Sequence, residues 1–161
     1  MGLNEKFFKS ASDTPFVPSD NFEPVIYTGG GASAKSITSL NFQPDFVWIK
    51  SRTSALSNVL HDTLTQPGLL ISNGTNALIN NGSNTVTFTS NGFNLQGGAS
   101  HSSVNEAGDF VSWNWKAGGA DVLNQEGTID SQVSANVDAG FSIVKYTGNN
   151  TQGATIGHGL D

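Results

Sequence analysis

The sequence predicts an all-β fold, an antiparallel sandwich or barrel. Three observations carry that expectation. Short runs rich in Phe, Val, Ile, Thr and Trp recur along the chain, and such residues suit a pleated, half-buried surface. Nineteen glycines, with many Asn, Ser and Thr, break these runs into turns. No helical period is sustained over three turns, apart from a weak patch near Asn76 to Ile79.

Taken in order, the first strand candidate is Pro24 to Thr28, ended by Gly29-Gly30-Gly31, which reads as a hairpin turn. Ser36 to Leu40 is a second short run. Pro44 to Lys50 is the strongest strand, with Phe46, Trp48 and Lys50 on one face and Asp45, Val47 and Ile49 on the other. Both faces are largely apolar, which places this strand at the centre of a sheet. Asn58 to Asp62 follows, and then Leu69 to Ile71 between Gln66-Pro67-Gly68 and Ser72-Asn73-Gly74. Thr85 to Phe88, Ser90-Asn91-Gly92 and Phe93 to Leu95 read as a hairpin. Asp109 to Lys116 alternates strictly, with Val111, Trp113 and Trp115 in one register and Phe110 in the other. About eight short strands at spacings of roughly 8–12 residues are the pattern of a sandwich or barrel.

Only 12% of residues are charged and the formal net charge is −6. The few Lys and Arg are scattered, so no basic stripe exists to neutralise phosphates, and nucleic-acid binding is not expected. There are no cysteines, which removes disulfides, thiol catalysis and Cys-ligated zinc together. The N-terminus lacks a long apolar run, so neither a secretory signal nor a membrane span is expected there.

Residues 1–21 read as an N-terminal arm. Leu3, Phe7 and Phe8 lie on one side of a short amphipathic stretch, followed by Asp13-Thr14-Pro15 and Val17-Pro18-Ser19-Asp20. Adjacent Phe residues are costly to leave in water, at roughly 1.5–3 kcal/mol of burial each. They either tuck onto the chain's own domain or form a docking peptide for a partner.

The chain also repeats itself. Phe22-Glu23-Pro24-Val25-Ile26-Tyr27-Thr28-Gly29 recurs as Phe141-Ser142-Ile143-Val144-Lys145-Tyr146-Thr147-Gly148, and Ile37 matches Ile156 at the same offset. Leu40 matches Leu160 with a one-residue slip. A period of about 119 residues is far longer than a solenoid repeat and implies tandem domains. The expected organisation is therefore an arm at 1–21, a β-sandwich module at 22–119, a linker at 120–139 with a β-run near Thr128 to Val133, and the start of a second, truncated module at 140–161.

One ordered set of residues carries a resemblance. Tyr27-Thr28-Gly29, Phe42-Gln43-Pro44-Asp45-Phe46-Val47-Trp48-Ile49-Lys50, Asn91-Gly92-Phe93 and Trp113-Asn114-Trp115-Lys116-Ala117-Gly118-Gly119 occur in that order. Val133-Ser134-Ala135-Asn136, Ala139 to Val144 and Gly157-His158-Gly159-Leu160 follow. Together they resemble a module of tail-fibre and other virion proteins of marine, cyanophage-like bacteriophages. The resemblance implies a jelly-roll or concanavalin-like antiparallel β-sandwich and no known catalytic residues. It further implies a virion location, assembly in the host cytoplasm, and a homo-oligomer, a trimer by expectation. The arm then stands where a fibre attaches to its tail or to an adaptor protein, through Leu3, Phe7, Phe8 and Phe16.

Little in the sequence points to catalysis. The histidines are His61, His101 and His158, and His61-Asp62 is the only adjacent acid–base pair. No nucleophile or third partner stands at a recognisable spacing. Asp45, Asp62 and Asp109 are conceivable calcium ligands, but no EF-hand or nonapeptide spacing supports them, so neither metal nor cofactor is expected. Gly29-Gly30-Gly31 lacks the Lys-Ser/Thr that a phosphate loop requires. Trp113 and Trp115 share one face of a strand, as do Phe46 and Trp48. Such stripes are more often sandwich core, and the alternative is a platform for sugar rings. The leading expectation is a non-catalytic virion protein, the N-terminal part of a tail fibre, and the alternative is a carbohydrate-binding module.

Overall fold

The computed structural model describes residues 15–80, 85–98 and 102–161. The candidate attachment residues Leu3, Phe7 and Phe8, and also His101, lie outside the described residues. Eleven named strands fall into three antiparallel sheets, so the fold is an all-β sandwich.

The largest sheet has five strands: β1 (Phe22–Thr28), β8 (Asp109–Trp115), β3 (Phe46–Ser51), β4 (Val59–Asp62) and β5 (Leu70–Ile71), side by side in that order. The strongest sequence strand, β3, is central as expected. Its inward face carries Val47 and Ile49, both fully buried, and they pair with His61 and Val59 of β4. Strand β1 lies at the edge. The bonds from Gly29 N–H to Gly108 and from Lys116 N–H to Asn21 bracket its pairing with β8. Alternation between them directs the backbone of Glu23, Val25 and Tyr27 toward β8, and that of Phe22, Pro24 and Ile26 toward the open edge. Pro24 thus removes a donor where no partner strand needs one, the position a strand proline tolerates.

The second sheet holds β2 (Lys35–Ile37), β7 (Gly92–Leu95) and β6 (Val86–Thr89). β6 and β7 form the predicted hairpin around Ser90-Asn91. Gly92 at its corner has φ +149°, and a Cβ there would collide with the Ile37 carbonyl, so the site admits only glycine. Between the two sheets lies the core: Tyr27, Ile37, Val47, Ile49, Val59, Val86, Phe93, Leu95, Val104 and Phe110. Tyr27 stacks on Phe110 at 5.3 Å and donates its hydroxyl to Val104 O at 2.7 Å. Burial pushes its phenol pKa upward.

The Gly29-Gly30-Gly31 segment is not a hairpin turn. β1 pairs with β8 and β2 with β7, so the glycines carry the chain from one sheet across to the other. They run against a short helix, α1 (Ser102–Asn105), which the sequence reading did not foresee. A Cβ on Gly29 would meet the Glu106 carbonyl, which explains glycine there. The weak helical patch at Asn76 to Ile79 forms no helix. Ile79 instead bridges Leu69.

The third sheet is β11 (Phe141–Tyr146), β10 (Ser131–Asn136) and β9 (Val122–Asn124). Two of its strands lie within the stretch 120–139 that composition reads as a linker, and β10 overlaps the β-run anticipated near Thr128 to Val133. Chain 151–161 folds over this sheet: Ile156 bridges Ile129, and Ser131 Oγ donates to Gly157 O at 3.4 Å. Strand β11 is the sequence copy of β1, yet its environment differs. Tyr27 is 6% exposed, whereas its counterpart Tyr146 is 54% exposed.

Candidate functional site

The alternation of β8 decides where the chemistry-bearing side chains go. Phe110, Ser112 and Asn114 point inward and are fully buried, while Val111, Trp113 and Trp115 point outward and are half-buried. The aromatic stripes favoured as sandwich core therefore lie on the opposite face. The inward side of β8 carries Phe110 in the core and a polar pair further along: Asn114 Nδ2 donates to Glu23 O at 2.7 Å and to Ser112 Oγ at 3.1 Å.

Register then lines these outward residues into rows. Pro24 pairs with Trp113, Trp113 with Trp48, Trp48 with Leu60, and Leu60 with Leu70, which makes one apolar row across all five strands. Trp48 and Trp113 lie 5.5 Å apart at 53°. Trp48 and Leu70 are each 37% exposed, and Ile26, in the neighbouring row with Val111 and Lys50, is 66% exposed.

The row on the other side, Phe22–Trp115–Phe46, is covered at Trp115 and Phe46, while Phe22 at its edge end stays 39% exposed. Trp115 meets Phe22 at 4.9 Å and Phe46 at 5.3 Å, and Phe141 of β11 stacks on it at 5.8 Å with 17° between planes. Polar contacts secure this docking. Lys145 Nζ donates to Leu64 O at 2.9 Å, Asn136 Nδ2 to Asn21 Oδ1 at 2.8 Å, and Gly118 N–H to Ser134 Oγ at 3.0 Å. The copy of the first strand is thus seated on the outer face of the first module's sheet. Of the two sequence-named indoles, Trp115 is enclosed by three rings, and the open pair is Trp48 with Trp113.

Beside this joint an open cleft of about 880 Å³ runs between the N-terminal segment and the third sheet, lined by Phe16, Asp20, Asp45, Lys116, Asn136 and Asp138 among others. Phe16, the one candidate attachment residue described, sits there at 52% exposure. Asp45 is committed to structure: its Oδ2 accepts the Ala117 N–H at 2.8 Å, and burial nonetheless pushes its pKa upward.

The His61-Asp62 pair does not act together, because neighbours on a strand point to opposite faces. His61 faces the core, fully buried, with the Gly68 backbone as its one polar neighbour and no well-formed hydrogen bond to either ring nitrogen among the described residues. That burial drives its pKa down to about 4. Asp62 shapes the turn after β4, accepting from Leu64 and Thr65 N–H at 2.9 and 2.8 Å and from Thr65 Oγ1 at 2.7 Å. Asp109 accepts from Thr28 Oγ1 at 3.0 Å, far along the sheet from the other two carboxylates. Among the described residues no cluster of three His, Asp or Glu side chains could hold a metal. His158 lies in a turn, where its Nδ1 accepts the Leu160 N–H. No helix of the described residues is long and apolar enough to cross a membrane.

Sequence reasoning missed Trp48 as the partner of Trp113, and Phe141 as a docking residue. Both depend on register between distant strands. The one available signal was the alternation of Trp48 with Phe46 in a strand apolar on both faces.

A family model described as "Domain of unknown function (DUF7483)" matches residues 17–161, spanning the first sandwich and the third sheet alike. No curated protein and no solved structure matches the chain.

Proposed function

The chain belongs to the DUF7483 family, and we propose that it is a non-catalytic structural module of an extended, repeat-built virion protein. In this reading it forms the N-terminal part of a phage tail fibre, attaches the fibre to the tail, and supports host recognition. One observation carries the structural role: Phe141, on the sequence copy of β1, stacks on Trp115 and packs tilted against Phe46 of the preceding sheet. Successive copies joined this way, by a ring stack and three side-chain hydrogen bonds, make a joint suited to bearing load rather than turning over a substrate. Attachment falls to Leu3, Phe7 and Phe8 with Phe16, whose exposure leaves it available to a tail or adaptor protein. Cross-linking of purified particles through Lys6 and Lys9 tests this. The expected result is links to a tail component. A chain absent from particles, or linked through these lysines only to itself, contradicts it.

A second reading, binding of host surface glycans, is favoured by the half-exposed indole pair of Trp48 and Trp113. Stacked sugars are worth reading by tryptophan emission. A saturable change on titrating host polysaccharide, lost in Trp113→Ala and retained in Trp115→Ala, supports it.

A further inference from the structure

We propose that the open part of the five-stranded sheet's outer face is an interface between copies of this chain. The surface is the row Pro24–Trp113–Trp48–Leu60–Leu70 together with Ile26. The inference rests on the structural reading above and names the surface through which such modules would associate side by side.

Three observations point to a second copy as occupant. The first is continuity. The adjoining row is already covered at Trp115 and Phe46, and what covers these two is an aromatic side chain from a strand whose sequence copies β1. The face therefore accepts β1-type residues on this chain's own evidence. The second is self-complementarity. The original β1 presents Phe22, Pro24 and Ile26 outward on the same sheet, with Phe22 39% and Ile26 66% exposed. A second copy brings both the row and the strand that such a row accepts. The third is chemistry. Large side chains line the face, and Lys50 is the one charged residue within its two open rows, whereas a patch kept in water is ordinarily broken up by charge.

The mode of contact follows from the edge. Pro24 has no N–H to offer along the open side of β1, so adding a partner strand there forfeits a ladder bond. Packing face on face needs no backbone donors and buries the indoles instead.

Analytical ultracentrifugation of the full chain tests this, with Ile26→Lys, Leu70→Lys and the double variant compared against Tyr146→Lys. All three positions are exposed, and circular dichroism reports whether each variant is folded. The expected result is self-association of the wild type, weakened at least about tenfold by the double variant and unchanged by Tyr146→Lys. A wild type that stays monomeric at roughly 100 μM overturns the proposal. So does an oligomer indifferent to Ile26 and Leu70, or a monomer whose Trp48 and Trp113 emission instead titrates with a saccharide. Failure here is distinguishable from failure of the virion reading: a monomeric chain still cross-links to a tail, and a self-associating chain absent from particles sinks only the latter.

Discussion

Asn105 occupies the point where the chain crosses between sheets. Its Oδ1 accepts the Gly30 N–H at 2.7 Å, and its Nδ2 donates to Ser33 O and Gln96 O at 2.9 and 3.0 Å. Its own carbonyl accepts from Gly31. Asn105→Ala removes three part-buried hydrogen bonds to the backbone of Gly30, Ser33 and Gln96, so we expect a loss on the order of 2 kcal/mol, read by urea denaturation. His61 makes a separate prediction. Its folded pKa of about 4 lies below the ordinary 6.5, so the unfolded chain takes up a proton that the buried ring refuses. Stability from this residue is complete above pH 6.5, falls as pH drops toward 4, and levels off below. The span amounts to about 3 kcal/mol. His61→Leu should flatten that part of the variant's own stability–pH curve, so that the wild-type minus variant difference falls between pH 6.5 and 4; a variant with an unchanged pH slope contradicts the assignment.

At the scale of elements, the docking of β11 is the contact that matters most. Phe141→Ala removes the ring stacked on Trp115 and is expected to cost about 2 kcal/mol. In hydrogen exchange, β9, β10 and β11 should lose protection in the variant while β3 and β8 keep theirs. Equal protection of all sheets in both proteins would count against the joint. Which elements exist was largely legible in the sequence: runs at 24–28, 44–50, 58–62, 69–71, 85–95 and 109–116 all contain strands, and Ser90-Asn91-Gly92 closes a hairpin. Which face points inward was not. β3 is apolar on both sides, and β8 buries Phe110, Ser112 and Asn114 while sending its indoles outward, against simple binary patterning. The glycine run misled for a related reason. Gly29-Gly30-Gly31 has the composition of a turn, but its length and partners are set by α1, a four-residue helix too short to leave a periodic trace.

For the whole molecule, the repeat gains a physical meaning from comparing its two copies. Tyr27 and Ile37 are buried between two sheets, while Tyr146 and Ile156 occupy the same sequence positions and stand 54% and 36% exposed. Phe93 and Phe110 enclose Tyr27, whereas Tyr146 stands on the three-stranded sheet without that enclosure. Tyr27→Ala should therefore cost about 3 kcal/mol or more, and Tyr146→Ala under 1 kcal/mol, in thermal unfolding of this chain. An equal cost would mean that the two copies are enclosed alike. The same comparison separates the indoles: Trp115 belongs to the joint, and Trp48 with Trp113 belongs to the open face. The proposed surface thus differs from the pair Trp113 and Trp115 on one strand: it is a face assembled from five strands.

Cryo-electron microscopy of particles carrying this protein tests the central claim, that the chain is a structural module built into a tail. The account predicts density for the five-on-three sandwich beside a tail component, with the segment around Phe16 nearest the contact and β11 directed away along the fibre. Particles in which that density is missing, or in which the Phe16 end lies remote from every tail protein, would contradict it.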